Sequence, residues 1–216
     1  MRFLSPIRKL KGTKIGERAF IIANGPSVLE CDLEKCKGDV TIGLNAASVL
    51  QRSNNITFDY YCVSDRRFLT NPDKAKFFTS YINESTACIY REELSDLVSN
   101  KNVFFVRSLG RDGFSFELHH GFFFGCSTTM LAIQLAAYIG CSEIYLLGVD
   151  LHYKSESPRF YTENVPQIED SFTSVQIHNM ILARKALFAK NIELYTCSRY
   201  SLIRPYLKYI DFDSTF

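Results

Sequence analysis

The chain has 216 residues, of which 46% are hydrophobic and 22% are charged, a composition typical of one globular domain with a buried core. Its 25 basic and 23 acidic residues give a net charge of +2, which argues against a nucleic-acid-binding protein, because such proteins present a clear excess of basic residues. The seven cysteines include no Cys-x-x-Cys pair, so reduced and mostly buried thiols are expected rather than a zinc site or a disulfide framework.

Neither a membrane-spanning helix nor a signal peptide is predicted. No apolar run approaches the roughly 20 residues that span a bilayer, and residues 1–6 are interrupted too early for a signal-peptide core. We therefore expect a cytoplasmic protein, and the sequence leaves a homo-oligomer open. Basic residues cluster near the start of the chain, at Arg2, Arg8, Lys9, Lys11, Lys14 and Arg18. A solvated arm is the simpler interpretation, and weak contact with anionic lipid headgroups at the inner face of the membrane is the alternative.

Strand-like and helix-like segments alternate along the chain. In chain order, the predicted strands are 19–23, 40–44, 60–63, 102–106, 144–147 and 192–195. The clearest predicted helix is 128–139, with Ser127 or Thr128 as its N-cap and Gly140 at its end. An amphipathic helix is predicted at about 175–190. This alternation predicts a single α/β domain over residues 1–216, built on a mainly parallel sheet.

The first predicted strand runs into a polar turn formed by Asn24, Gly25, Pro26 and Ser27, ahead of a predicted short helix. Exposed backbone N–H groups at such a point can hold a nucleotide phosphate, although a simple turn explains the residues equally well on local grounds. A later strand ends in a second polar position, Asp150. Ligands of open α/β sheets gather at the carboxyl ends of strands, so these two ends predict one site.

Residues 151–174 form a long, polar and aromatic connection between the two predicted helices. It includes Tyr153 and Tyr161 together with two prolines, Pro158 and Pro166. A structureless connection of this length is usually functional or disordered. We interpret it as a lid over the site.

Several blocks of sequence resemble a known group of bacterial proteins. The blocks are 21–27, 43–45, 60–65, 125–129, 135–150 and 192–198, and 135–150 is the longest and most specific. In these blocks the chain resembles bacterial sialyltransferases that modify lipooligosaccharide, and a wider 6-hydroxymethylpterin diphosphokinase-like family of polysaccharide loci. The resemblance covers most of the chain.

The resemblance to the sialyltransferases implies a Rossmann-like domain of modified GT-A type that binds a CMP-activated sugar without an obligatory divalent metal. It implies that Asn24 and Asn45 contact the donor nucleotide. Ser127 and Thr128 match hydroxyl residues suited to ribose or carboxylate, since each hydroxyl both donates and accepts. Asp150 matches an aspartate that can accept hydrogen bonds from ribose or base.

Two further polar residues, Ser64 and Asp65, follow the third predicted strand. They are candidates for contact with the nucleotide or the acceptor. The alternative for Asp65 is that it caps the next helix.

The same resemblance suggests catalytic residues, with departures from the family pattern. His152 stands where the sialyltransferases have a tyrosine, Tyr153 follows it directly, and Tyr161 lies near a second lid tyrosine. Phenols or a protonated imidazole can donate hydrogen bonds to a departing phosphate. The family's general-base histidine aligns closer to Ser174, so His178, one helical turn later, is the candidate base, with a structural histidine as the alternative.

Three functions follow from these residues and the resemblance. The first is an inverting, metal-independent glycosyltransferase that moves a sialic acid-like or other acidic sugar from a CMP donor to a glycan or lipid-linked acceptor of bacterial surface polysaccharide or lipopolysaccharide. The second is pyrophosphate transfer from ATP to a hydroxymethylpterin, with Mg²⁺ held by Asp65 and Asp150. The third is a catalytically silent nucleotide-sugar-binding module. No resident metal site is predicted, because the sequence offers no compact set of His, Asp and Glu.

Overall fold

The fold is centred on one large parallel sheet. The computed structural model describes residues 7–79, 82–98, 102–153, 158–163 and 171–216. Within them the large sheet has eight strands: β1 (Arg18–Ile22), β2 (Val40–Leu44), β3 (Tyr60–Val63), β4 (Ala87–Arg91), β5 (Val103–Val106), β8 (Glu143–Leu147), β9 (Glu193–Thr196) and β10 (Lys208–Tyr209). Their order across the sheet is β10-β9-β8-β1-β2-β3-β4-β5, with each neighbouring pair parallel. Strands β6 (Ser108–Gly110) and β7 (Phe122–Phe123) form a separate parallel pair.

The connections contain α-helices and short 3-10 helices. The α-helices are α1 (Leu50–Ser53), α2 (Arg66–Thr70), α3 (Pro72–Thr79), α4 (Thr128–Ile139) and α5 (Thr173–Phe188). The 3-10 helices are Ile7–Leu10, Pro26–Glu30, Leu33–Cys36, Asn45–Val49, Glu92–Leu94 and Phe212–Thr215. Of the helices in the described ranges, none has the length and apolar content needed to cross a membrane.

The central strands are buried on both faces, and for this reason they are apolar almost throughout. Successive residues of β1 point to opposite faces: Ile21 packs into the cluster that includes α4, whereas Phe20 and Ile22 pack with Val28 and Phe212 on the other side. Helix α4 is buried along nearly its whole length against the sheet. The buried core therefore holds the ends of β1, β2 and β8 in fixed positions.

Helix α4 begins at the carboxyl edge of the sheet, and its start is well defined. Ser127 is the N-cap, and its hydroxyl oxygen accepts a hydrogen bond from the backbone N–H of Thr129 at 3.2 Å. Gly140 ends the helix in the left-handed conformation, with φ of 105°. The predicted boundaries 128–139 and the predicted caps agree with this helix.

The prediction of a mainly parallel α/β sheet is confirmed, with differences in detail. Strand β4 was not predicted, and the short helix expected after Ser27 is a pair of 3-10 helices, Pro26–Glu30 and Leu33–Cys36. Helix α5 begins at Thr173 rather than 175, so His178 lies in its second turn. Of the predicted lid, residues 154–157 and 164–170 lie outside the described residues.

Candidate functional site

A pocket opens at the carboxyl edge of the sheet, where the chain leaves β1, β2 and β8. It encloses about 770 Å³ of empty space, counted together with the solvent at its open mouth. Seven residues predicted to bind the donor line it: Asn24, Gly25, Asn45, Asp65, Ser127, Thr128 and Asp150. Two residues predicted to be catalytic, Tyr153 and Tyr161, line it as well.

Asn24 has an unsatisfied acceptor at this pocket. Its Oδ1 atom is buried and has no hydrogen-bond partner in the described part of the chain. Its backbone is held, because the carbonyl of Asn24 accepts a hydrogen bond from the N–H of Phe160 at 3.0 Å. A buried acceptor left unpaired costs about 1–3 kcal/mol, so a ligand that donates a hydrogen bond to Asn24 recovers that cost.

Gly25 is required by the close approach of two chain segments. Its N–H donates to the carbonyl of Gly148 at 2.7 Å. A Cβ atom at position 25 would lie 2.5 Å from Asp150 Oδ2 and 2.6 Å from the Gly148 carbonyl oxygen, far inside contact distance. Only glycine therefore lets the turn after β1 pack against the loop after β8.

Ser27 and Pro26 do not line the pocket, although both belong to the predicted phosphate-binding turn. Pro26 starts a 3-10 helix. Ser27 is turned toward Asp150: its N–H donates to Oδ2 at 3.0 Å, and its hydroxyl lies 2.5 Å from Oδ1 and 2.8 Å from Ser198 Oγ. The carboxylate of Asp150 is thus a link between two strand ends as well as part of the pocket wall.

Asn45, Thr128 and Ser64 form a chain of polar side chains that leads from the pocket wall into the protein interior. Asn45 adopts a left-handed conformation, with φ of 49°, which asparagine tolerates better than most residues. Its carbonyl accepts a hydrogen bond from the Tyr61 hydroxyl. The Thr128 hydroxyl lies 3.4 Å from Asn45 Oδ1 and 2.8 Å from the hydroxyl of the buried Ser64, which does not line the pocket.

Asp65 lines the pocket and also caps a helix. It is the N-cap of α2, accepting a hydrogen bond from the Arg67 N–H at 2.9 Å. The Arg67 guanidinium also lies 2.8 Å from Oδ2 of Asp65. The capping role weighed as the alternative is therefore present, and both carboxylate oxygens of Asp65 already have partners.

Lys74 is a pocket residue that the sequence analysis missed. From α3 it forms an ion pair with Glu163 at 3.0 Å, and the Glu163 side chain is only 3% exposed. The Tyr161 hydroxyl donates to Glu163 at 3.5 Å, and its ring lies 4.8 Å from that of Phe77. Burial, followed by the charge of Glu163, raises the pKa of Tyr161 to about 12. At neutral pH Tyr161 is therefore a protonated hydrogen-bond donor.

Arg159 is a second cation that the sequence analysis missed. It lines the pocket, and its guanidinium lies 4.8 Å from the centre of the Tyr153 ring. The Tyr153 hydroxyl in turn lies 3.5 Å from Gln176 Oε1, and Gln176 donates to the carbonyl of Cys126 at 3.0 Å. Arg159 and Lys74 bring two cations to one wall of the pocket, which suits an anionic group. The hydroxyls of Tyr153 and Tyr161 lie on the same wall, and their hydrogen bonds to Gln176 and Glu163 are long, at 3.5 Å, so an anionic ligand can replace them.

Neither His152 nor His178 is among the residues that line the pocket. The exposed ring of His152 is turned to the carbonyl of Tyr200, with Nε2 2.5 Å from the oxygen. His178 is exposed on α5. The pKa of Asp112 is lowered by Arg111, then by Asn179, and to a lesser degree by the charge of His178. The proposed roles of both histidines stay predictions.

The described residues contain no group of three or more His, Cys, Asp or Glu side chains placed to hold a metal ion. Three of the basic residues near the start of the chain form ion pairs. Arg18, the first residue of β1 at the opposite, amino-terminal edge of the sheet, pairs with Asp39 at 2.8 Å, Lys11 pairs with Glu117 at 2.7 Å, and Lys14 pairs with Glu17 at 3.3 Å. The charges of these three residues are therefore locally balanced.

A family model described as 6-hydroxymethylpterin diphosphokinase MptE-like matches residues 2–156. No curated protein is similar enough in sequence to match.

Several solved structures share the fold. A Maf glycosyltransferase from Magnetospirillum magneticum AMB-1 superposes on 97% of this chain with a TM-score of 0.64 and 16% identity, and the chain spans 38% of its length. The match with the sialyltransferase CstII from Campylobacter jejuni, in complex with cytidine-5'-monophosphate, spans 90% of this chain and 85% of that protein, with a TM-score of 0.55 and 14% identity. The match with the same sialyltransferase bound to CMP and a trisaccharide acceptor spans 93% of this chain and 89% of that protein, with a TM-score of 0.54 and 14% identity. These similarities establish a shared fold.

Proposed function

We propose a function for this chain from the premise that it belongs to the 6-hydroxymethylpterin diphosphokinase MptE-like family and has a fold found in glycosyltransferases. The proposed function is that of a glycosyltransferase that takes an acidic, sialic acid-like sugar from a CMP-activated donor. The acceptor is a glycan or a lipid-linked glycan of a bacterial surface polysaccharide.

The observation that carries this proposal is the group of cationic and phenolic side chains on one wall of the pocket. Arg159, Lys74, Tyr153 and Tyr161 line one pocket together with the strand-end residues Asn24 and Asn45. The leaving group of a CMP-sugar is CMP, a phosphate monoester. Its phosphate gains negative charge as the bond to the sugar breaks. Fixed cationic and phenolic donors stabilise such a leaving group as charge develops on it.

The rest of the pocket suits the nucleoside and the sugar. The buried Oδ1 of Asn24 needs a donor, which an amino group of a base or a hydroxyl of a ribose supplies. Ser127 and Thr128 add hydroxyls at the start of α4, a helix of 12 residues whose N-terminal end attracts negative charge. An acidic sugar carries such a charge in its carboxylate.

The proposed reaction is a direct displacement at the anomeric carbon with inversion. The acceptor oxygen forms a bond to that carbon as the bond to the phosphate oxygen breaks, and CMP leaves with the bonding electrons. Tyr161, Tyr153, Arg159 and Lys74 stabilise the departing phosphate. His178 is the proposed base for the acceptor proton, which requires the acceptor to approach along the start of α5.

The family description favours a second candidate, pyrophosphate transfer from ATP to a hydroxymethylpterin. That reaction recruits Mg²⁺ through carboxylates, for which Asp65 and Asp150 are the pocket's acidic residues. Both carboxylates are already bonded, to Arg67 and to Ser27 respectively. This engagement supports the glycosyltransferase as the first candidate.

A thermal-shift panel of CMP, CDP, UDP, GDP and ATP, each with and without Mg²⁺, tests the proposal. A ligand at 100 times its Kd stabilises the folded state by about 2.7 kcal/mol, which is readily measured. We expect selective stabilisation by CMP that does not depend on Mg²⁺. Stabilisation by ATP only in the presence of Mg²⁺ supports the diphosphokinase instead.

A further inference from the structure

The segment 199–208, between β9 and β10, is firmly attached to the edge of the sheet that carries the pocket. The Ser201 hydroxyl donates to the carbonyl of Val149 at 2.6 Å, and the N–H of Leu202 donates to the carbonyl of Asp150 at 3.1 Å. Ile203 and Leu207 are buried in the core. These attachments join the segment to the loop after β8, which forms part of the pocket wall.

The exposed side chains of this segment are basic, aromatic or aliphatic. They are those of Arg199, Tyr200, Leu202, Arg204, Pro205, Tyr206 and Lys208, which we call the 199–208 surface. Tyr200 is 74% exposed, Tyr206 43% and Leu202 38%, so three large side chains are exposed close together in the sequence. Residues 199–208 contain no Asp or Glu.

The cations of the 199–208 surface are not neutralised by carboxylates. In the described ranges, Arg199, Arg204 and Lys208 form no ion pair within 4.0 Å. Arg204 donates to the carbonyl of Arg199 at 3.0 Å and lies over the Tyr209 ring, while Lys208 lies over the Tyr195 ring.

Three neighbouring titratable or charged groups border this surface. His152 Nε2 lies 2.5 Å from the carbonyl oxygen of Tyr200. Asp211 lies 3.3 Å from the Tyr209 hydroxyl, which donates to it. Arg184 reaches the surface from α5 and donates to the carbonyl of Tyr206 at 3.0 Å. The surface therefore keeps an excess of positive charge, unlike the ion-paired residues at the opposite edge of the sheet.

We propose that the 199–208 surface binds the headgroups of anionic lipids and thereby holds the pocket at a membrane surface. Arginine and lysine attract the anionic headgroups, and exposed tyrosine and leucine enter the boundary between headgroups and acyl chains. The exposed side chains of 199–208 include no amide or carboxylate to accept hydrogen bonds from the hydroxyls of a neutral glycan. The proposal is independent of which nucleotide the pocket takes.

Vesicle co-sedimentation of the full chain tests this surface. The vesicles contain phosphatidylcholine alone or with added phosphatidylglycerol, at low and high salt. We expect binding to the anionic vesicles only, weakened by salt because screening shortens the range of the attraction. The variant Arg199→Gln/Arg204→Gln/Lys208→Gln should bind roughly 100-fold more weakly, since each basic residue near an anionic surface contributes about a factor of five.

A matched control removes three cations from the opposite edge, in the variant Lys11→Gln/Lys35→Gln/Lys37→Gln. It has the same net charge as the test variant and should bind anionic vesicles as the parent does. Equal losses in both variants would overturn the proposal, because binding would then follow net charge rather than this surface. Binding of the parent to a soluble sulfated polysaccharide but not to anionic vesicles would overturn it too.

The apolar part of the surface has its own test. The variant Tyr200→Ser/Leu202→Ser should reduce the binding that persists at high salt, because insertion of these side chains does not depend on charge. Unchanged binding at high salt would contradict the membrane contact. In all variants, thermal stabilisation by CMP should equal that of the parent, which separates this result from the function of the pocket.

Discussion

Asp150 and Ser27 form a two-point contact: the Ser27 N–H donates to one carboxylate oxygen at 3.0 Å, and its hydroxyl lies 2.5 Å from the other. The contact joins the turn after β1 to the loop after β8. Asp150 therefore has a structural role beside the ligand-binding role predicted from the sequence. Asparagine at position 150 cannot reproduce this contact. Its side chain has only one acceptor oxygen, and its NH₂ group would face one of the two Ser27 donors.

Asp150→Asn should accordingly lower the free energy of unfolding by about 1.5–3 kcal/mol, the range for a hydrogen bond to a charged group. Urea unfolding measures this change. Glu30→Gln, at an exposed position of the neighbouring 3-10 helix, is the control and should stay within about 0.5 kcal/mol of the parent. Unchanged stability of Asp150→Asn, with loss of CMP binding, would assign the carboxylate to the ligand alone.

Asn24→Ala should weaken CMP binding and leave folding intact. The side-chain oxygen has no partner in the described residues, so its removal deletes no bond within the protein. Loss of one hydrogen bond to the ligand costs about 1–3 kcal/mol in the binding free energy. Calorimetry with CMP measures it. The control is Asn54→Ala, whose amide bonds only the end of α1; equal CMP affinity in Asn24→Ala and the parent would remove Asn24 from the site.

Arg159→Gln should weaken binding of CMP but not of cytidine, because the guanidinium is proposed to meet the phosphate. A charged hydrogen bond contributes about 1.5–3 kcal/mol, so the Kd for CMP should rise by roughly 10- to 150-fold. Parallel titrations with the nucleotide and the nucleoside separate the two contributions. Arg107→Gln, outside the pocket, should change neither. Equal losses for CMP and cytidine would instead indicate a general disturbance of the pocket.

Lys74→Met should be strongly destabilising, because it removes the Lys74 cation from the buried carboxylate of Glu163. Removing one partner of a buried ion pair typically costs about 3–5 kcal/mol. The double variant Lys74→Met/Glu163→Gln should recover most of that stability in urea unfolding, since the buried side chain at position 163 is then neutral. A double variant no more stable than Lys74→Met would mean that Lys74 stabilises the fold by another contact.

His178→Ala should lower turnover by roughly 10²- to 10⁴-fold, the usual loss for a positioned general base, while CMP affinity stays at the parental value. Transfer assays with a CMP-sugar and a working acceptor measure it. His119→Ala is the control, because His119 contacts Tyr138 near the far end of α4 and lies outside the pocket. Near-parental transfer by His178→Ala would show that the base is another residue.

The parts of the fold that were predicted correctly are those where local pattern and burial agree. Helix α4 has apolar residues on nearly every side, a hydroxyl cap and a terminal glycine, so its limits were evident from the sequence. Strand β4 was missed because Ala87–Arg91 mixes a small residue, a cysteine and an arginine, which weakens the apolar pattern around Ile89 and Tyr90. Its place in the sheet is decided by packing between β3 and β5.

The site residues that were predicted correctly are likewise those with a local sequence signal. Asn24, Asn45 and Asp150 stand directly after strands, so the parallel arrangement brings them together. Lys74 and Arg159 reach the pocket from a polar helix and from the segment after β8, and no sequence pattern relates those segments in space. The position of His178 depends on rotation around α5: Gln176, Met180, Ala183 and Leu187 face the interior, and His178 lies off that stripe.

One edge of the large sheet ends in β10, which is only two residues long. The edge of a sheet carries unpaired backbone N–H and C=O groups that can recruit a strand from another molecule and start aggregation. A two-residue strand offers little template for such pairing, and it begins with the exposed Lys208, a side chain that discourages it. Without β10, the longer and more apolar β9 would become the edge. Strand β10 thus limits edge-to-edge association of this sheet between molecules.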